Sequence, residues 1–307
     1  MDVFKCRLGF LMDMTIGNTL QKGNSVKIGG SQYTVQKIEK KRHKESSANC
    51  YQCVSKDMSF FVKHYNGIMD EDNRWSHEID IQGALGDNNP HILNLIDADR
   101  KGDQSYLVFP WLNGSSLDKL NRNISLGIAN YWNLLPSVLD GLTYVHSKEI
   151  VHRDIKPANI FLHAEGDLEE AIGNRTCTPV ITDFELAIRI QDLEEEEDED
   201  STSGTPVYMV PEQVLAPKTI DQRTDIYSLG ISSYEMLTGI RPFRSYSIEN
   251  VLSRILFWEA INMRMLVPTI PKEISEIAHK MMEKGPKDRY QSAEELKKIV
   301  CEQIEVI

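Results

Sequence analysis

The chain has 307 residues, 41% hydrophobic and 26% charged, a balance that can bury a sizeable core and excludes wholesale disorder. A count of 34 basic against 46 acidic residues gives a formal charge of −12, which argues against nucleic acid as a partner. No apolar run approaches the ~18–20 residues that cross a bilayer, and 5 scattered cysteines point to reduced thiols in a cytoplasmic protein.

In chain order, residues 1–31 are punctuated by Gly and Ser and read as a lead-in, with one strand around Ser25–Ile28. Short β-rich runs follow at Tyr33-Thr34-Val35, at 51–54 and at Phe60-Phe61-Val62. Cys50 precedes the second run and Cys53 lies within it. A zinc site would need a further Cys or His pair at ligand spacing, so the two read as strand residues. Trp75, Ile79, Ile81 and Leu85 predict a helix over 73–85, ended by residues 86–90. Two more strands are expected at 92–96 and 106–109.

Beyond Gly114 the period lengthens. Leu134, Leu135, Val138, Leu139, Leu142 and Val145 form a wide apolar stripe over 131–146, and 226–237, 273–282 and 293–304 repeat that character. Residues 163–179 form an insertion rich in acids. Seven consecutive acids fill 194–200, ahead of Ser201, Thr202, Ser203 and Thr205, and such a run is a solvated loop. The result is an α+β chain, β-rich first and helical afterwards.

The sharpest string is His152-Arg153-Asp154-Ile155-Lys156-Pro157-Ala158-Asn159, placed between a helix and the apolar run Ile160-Phe161-Leu162. Asp154, Lys156 and Asn159 can converge on one face of a turn. There they offer a carboxylate for a hydroxyl proton, an ammonium for a phosphoryl oxygen and an amide oxygen for a metal. Ile181-Thr182-Asp183-Phe184 sets another carboxylate just after a strand, suited to Mg2+. Each string alone is common on protein surfaces, and their order gives them weight.

Together these strings resemble the eukaryotic-type protein kinase superfamily over roughly residues 32–301. The resemblance implies a bilobal α+β fold. A small antiparallel β-rich N-lobe with one main helix would cover 32–109, a hinge 110–114, and a larger, mainly helical C-lobe 115–307, with the activation segment at 183–212. It makes Asp154 the catalytic base, Lys156 the phosphate contact, and Asn159 and Asp183 the metal ligands. Phe61-Val62-Lys63 resembles the third-strand lysine motif, so Lys63 would hold ATP phosphates, with Glu78 rather than Glu71 as its helix partner. Leu107-Val108-Phe109 resembles the strand into the hinge. Pro110 keeps the carbonyl that adenine needs, and Leu112 would supply the N–H. Val210-Pro211-Glu212 resembles the close of the activation segment, whose Glu pairs with an arginine near the chain end, here Arg289. The string opening at Asp225 resembles the buried Asp and helix that anchor the catalytic loop.

Lys156-Pro157 and Thr205 in Gly204-Thr205-Pro206 are features of the Ser/Thr branch. The implied activity is transfer of the ATP γ-phosphoryl, with Mg2+ or Mn2+, to Ser and Thr hydroxyls of protein substrates, with autophosphorylation in the activation segment. The alternatives are a pseudokinase that binds nucleotide or a partner without efficient turnover, and a small-molecule kinase, against which Pro211-Glu212 counts. Two departures stand out. No glycine occurs from Val35 to Val62, where the family's Gly-rich loop covers the phosphates. The basic stretch Lys40-Lys41-Arg42-His43-Lys44 offers cations there or is a solvated turn. Glu185 stands where the family has Gly after Asp-Phe, and its carboxylate either reaches metal or points to solvent.

Overall fold

The computed structural model describes residues 20–39, 48–66, 74–123, 126–194 and 206–304. Strands β1 (Ser25–Ile28), β2 (Ser31–Glu39), β3 (Ala48–Ser55) and β4 (Met58–Asn66) pair in sequence, each antiparallel to the next. Helix α1 (Arg74–Leu85) follows, and β5 (Asp97–Lys101) and β6 (Gln104–Pro110) complete a six-stranded sheet of order β1-β2-β3-β4-β6-β5. Strand alternation sends Tyr33, Val35, Tyr51, Cys53 and Val62 into one buried cluster with Ile28, Tyr106 and Val108. The same period of two puts Cys50 on the face opposite Cys53, so the two thiols diverge.

After β6 come β7 (Gly114–Ser116), α2 (Leu117–Asn123), α3 (Ile128–Ser147), β8 (Ile150–Val151), β9 (Ile160–His163), α4 (Leu168–Gly173), β10 (Thr178–Ile181) and β11 (Ile188–Arg189). The remaining helices are α5 (Pro211–Leu215), α6 (Arg223–Thr238), α7 (Ile248–Phe257), α8 (Met263–Leu266), α9 (Lys272–Met281) and α10 (Ala293–Ile304). β10, β9 and β7 form a small sheet in that order, and β8 pairs with β11. Gly114 is required in β7: its φ is +135°, and a Cβ would fall 1.9 Å from the Leu162 carbonyl oxygen across the ladder. In α3, Val138, Leu139, Leu142 and Val145 are each at most 1% exposed. Full burial of such aliphatics contributes ~1.5–3 kcal/mol apiece. α10 packs on α3, where Lys297 Nζ donates to Asp140 Oδ1 at 2.6 Å.

The chain divides into two compact units, Met1–Asp72 with Asp97–Val108 and Asn73–Ile96 with Phe109–Ile307, so α1 belongs with the helices rather than with the sheet.

The strand expected at 92–96 is not formed. Ile92 makes a single parallel bridge to Ile181, and the Leu93 N–H donates to Ile181 O at 2.9 Å. Both side chains are buried, so their apolar signal came from burial in the helical unit. The strand lies further on, at β5, an edge strand of sequence Asp-Ala-Asp-Arg-Lys. Its pairing with β6 defines it, not side-chain alternation. The acid-rich insertion at 163–179 contains α4. Asp167 caps that helix by accepting the Glu170 N–H at 2.9 Å, and Glu169 and Glu170 lie in its first turn, where carboxylates complement the helix dipole. Its acids therefore have a local cause.

Candidate active site

Asp225, fully buried in the first turn of α6, organises the site. Its Oδ2 accepts the His152 N–H at 2.9 Å and His146 Nε2 at 2.8 Å, and its Oδ1 accepts the Arg153 N–H at 2.9 Å. Burial pushes this carboxyl upward, yet the His146 hydrogen bond and the neighbouring imidazoles outweigh it and hold the carboxyl below its ordinary value. Two consecutive backbone donors on one carboxylate fix the chain at 152–153, where Arg153 adopts a left-handed φ of 62°.

The next residues turn back on themselves. Pro157–Asn159 form a single 3-10 turn that returns Asn159 to Asp154. Asp154 Oδ2 accepts Lys156 Nζ at 2.6 Å and Asn159 Nδ2 at 2.9 Å, while the same Nδ2 donates to Asp154 O at 2.9 Å. Both amide protons of Asn159 are thus used within the loop, which leaves Oδ1 as its acceptor for a ligand. Burial raises the Asp154 carboxyl above its ordinary value, with the Lys156 ammonium opposing.

Asp183 follows β10 at a left-handed φ of 70°. The preceding Thr182 donates its N–H to Asn159 O at 2.9 Å and its hydroxyl to the same oxygen at 3.2 Å. His152 links the two loops as well. Its Nδ1 accepts the Asp154 N–H at 3.3 Å, which sets the proton on Nε2, and Nε2 donates to Thr182 O at 3.2 Å. Burial lowers the His152 pKa, consistent with a neutral ring that accepts on one side and donates on the other. The fully buried Phe184 ring stands edge-on to His152, centroids 4.7 Å apart. Asp154, Lys156 and Asn159 are therefore joined directly, and the Asp183 loop through Thr182.

Lys63 sits on β4 opposite Cys50, 6% exposed, in the sheet unit. Glu78 sits on α1, 1% exposed, in the helical unit. Pro110 ends β6, and with Leu112, Asn94, His163 and Val180 it lines a cavity of about 490 Å³ to which Asp154, Asn159 and Asp183 do not contribute. Arg289 forms the expected pair with Glu212, donating Nη1 to Oε1 at 2.6 Å and Nη2 to Oε2 at 2.8 Å, both side chains buried. Thr205, Glu71, the basic stretch at 40–44 and most of the acidic run lie outside the described residues. Glu185 does not point to open solvent. Its side chain, 11% exposed, accepts Arg74 Nη1 of α1 at 3.1 Å, because the helix brings a cation to it. Sequence reasoning also missed His146. Its imidazole at the end of an amphipathic helix was the available signal.

The family model described as "Protein kinase domain" matches residues 44–300. Over 217 residues the chain is 32% identical to a probable serine/threonine-protein kinase of Clostridium perfringens, covering 68% of this chain and 29% of that protein. It is 29% identical over 219 residues to the serine/threonine-protein kinase PrkC of Bacillus subtilis, covering 70% of this chain and 31% of the relative. It is 28% identical over 224 residues to serine/threonine-protein kinase 17A of Oryctolagus cuniculus, covering 72% and 53%. The chain thus spans 29% to 53% of the length of these relatives.

Proposed function

The chain belongs to the protein kinase family, with homology to bacterial serine/threonine kinases, and from that membership we propose that it transfers the γ-phosphoryl of ATP to Ser and Thr hydroxyls of proteins. The observation that carries this reading is the Asp154 cluster: a buried carboxylate, one oxygen held by Lys156 and Asn159, on a loop pinned by Asp225. In this reading Asp154 accepts the proton of the substrate hydroxyl, and Lys156 turns its ammonium to a phosphoryl oxygen. Lys63 steadies the α/β-phosphates with Glu78 as its partner, and the Pro110 carbonyl and Leu112 N–H receive the adenine.

The Asn159 amide oxygen and the Asp183 carboxylate are hard oxygen donors of the kind Mg2+ takes, and Mn2+ accepts the same set. They would hold the ion, which when bound neutralises charge on the transferring group. The missing glycines and Glu185 are read as departures compatible with turnover, because Lys63, Glu78, Asp154, Asn159 and Asp183 are all present.

Thr205 belongs to the same proposal as the marker of Ser/Thr preference, with autophosphorylation in the activation segment and a cytoplasmic setting for the thiols. Among the described residues no helix is long and apolar enough to cross a membrane. The test is incubation with γ-labelled ATP, Mg2+ or Mn2+ and a generic protein acceptor. Label on Ser or Thr, lost in Asp154→Asn, is expected. Nucleotide binding without label transfer would leave the pseudokinase alternative in its place.

A further inference from the structure

The first half of α1 is joined to the segment after Asp183 by three hydrogen bonds at a regular spacing. Arg74 Nη1 donates to Glu185 Oε1 at 3.1 Å, His77 Nε2 to Ala187 O at 2.5 Å, and Arg189 Nη2 to Asp80 O at 3.0 Å. Along the helix these rungs advance by three residues, close to one face; along the partner segment they advance by two, from a turn at 185–186 into β11. The far end of α1 is held separately. Gln82 Oε1 accepts the Leu95 N–H at 3.3 Å, the Tyr144 hydroxyl donates to Leu85 O, and Ile81 and Leu85 enter the helical core.

The three rungs are not chemically alike. Two end on backbone carbonyls, which any residue at 187 or 80 supplies. The first needs a carboxylate at 185, and a glycine there has no side chain to offer. The Arg74 and Glu185 side chains are 28% and 11% exposed, so solvent screens this pair less than one on an open surface. Arg74 also lies one helical turn before Glu78 and on the same face.

We propose that Glu185 is a positioning residue that fastens the first turn of α1, and with it Glu78, to the loop carrying Asp183. The inference rests on the kinase reading above and deepens it. What stands in the place of glycine is a tie between the helix and the metal-binding loop, rather than a further metal ligand.

The test compares Glu185→Gly, Glu185→Asp, Arg74→Glu and the swapped pair Arg74→Glu/Glu185→Arg in the full chain. Three quantities are read: KM for ATP alongside kcat, the ratio of Mg2+ to Mn2+ activity, and hydrogen-exchange protection of amides 74–80 without nucleotide. Glu185→Gly is expected to raise KM for ATP about tenfold, as loss of a partly buried ion pair implies. It should also lower protection over 74–80 and leave the metal ratio unchanged. Glu185→Asp should keep most of the wild-type behaviour, and the swapped pair should recover what each single variant loses.

The proposal is overturned if Glu185→Gly matches wild type in both KM and protection. It is also overturned if that variant shifts the metal ratio with protection intact, which would make Glu185 part of the metal site. A swapped pair that is folded by circular dichroism yet unprotected at 74–80 overturns it too. The exchange readout needs no turnover. A chain that transfers no phosphate but loses protection in Glu185→Gly and regains it in the swap would refute the kinase reading and uphold the tie.

Discussion

Replacing Asp225 by Asn exchanges one oxygen for an amide nitrogen and forces a choice among three donors. The carboxylate now serves the His152 and Arg153 N–H groups and His146 Nε2, all within 2.9 Å. The amide has a single oxygen. If that oxygen keeps His152 and His146, the new NH2 faces the Arg153 N–H; if it keeps Arg153, two donors are stranded. Either arrangement loses at least one charge-assisted bond, worth ~1.5–3 kcal/mol, and buries one unsatisfied donor at ~1–3 kcal/mol. The sum is about 2.5–6 kcal/mol. For a unit of 150–250 residues each kcal/mol moves Tm by ~2–4 °C, so a fall of about 10 °C is expected in thermal denaturation followed by circular dichroism. Turnover should fall more steeply than stability at a temperature where the variant remains folded. Arg153 adjoins Asp154, and a displacement of about 1 Å there costs on the order of 100-fold. A variant within about 1 kcal/mol of wild type and fully active would refute the assignment of Asp225 as the anchor of this loop.

Three further outcomes are expected. Asp154→Asn should lower kcat by roughly 100-fold or more while ATP affinity, measured by calorimetry, stays within about twofold, because the proposed role of base is exerted in the transition state. Arg289→Ala strands the buried Glu212 carboxylate and should cost ~3–5 kcal/mol in denaturant unfolding, with Arg289→Lys recovering only part, since lysine lacks the two-pronged fork. Burial lowers the pKa of His64 and of His152, so the unfolded chain takes up their protons first as pH falls. Their contribution is fully present above the unfolded value of ~6.5 and is lost below it, at up to about 1.4 kcal/mol per pH unit for each ring. His64 stacks on Tyr106 at 4.7 Å with its Nδ1 unpartnered, so His64→Phe should flatten the acid slope measured by chemical denaturation between pH 7 and 5. An unchanged slope would remove His64 from the account.

Much of the fold is written in burial patterns that a sequence displays. β3 alternates over most of its length, and α3, α9 and α10 carry their buried residues at helical spacing, whereas β4 is buried at four successive residues and α6 is buried nearly all round. α7 was harder to see because only Val251 and Ile255 are buried, while Ile248 and Phe257 at its ends are exposed and break the stripe. β5 lies past the apolar signal because Ile92 and Leu93 are buried in the helical unit, whereas the strand itself is held by backbone pairing. At the site, Asp154, Lys156 and Asn159 were legible as a group because the turn joining them is local. The tie from His146 to Asp225 crosses 79 residues, and the tie from Thr182 to Asn159 ends on a backbone carbonyl. Long-range bonds of this kind impose no periodicity on the sequence.

Glu185 shows most clearly why a departure from a motif must be judged by its partner. Residue type alone gives a carboxylate two residues from Asp183, which would compete for the ion or face water. The partner it takes lies 111 residues away, a charged side chain that belongs to no hydrophobic stripe. The Arg74 guanidinium offsets part of the charge that Glu185 adds near Asp183. The pairing also draws on a residue one turn before Glu78, so on the inference above the carboxylate that adds charge near Asp183 also supplies a hold on the helix. A neutral residue at 185 would lose that hold, and an unpaired acid would add charge without it. The loop and the helix therefore have to be read together for Glu185 to make physical sense.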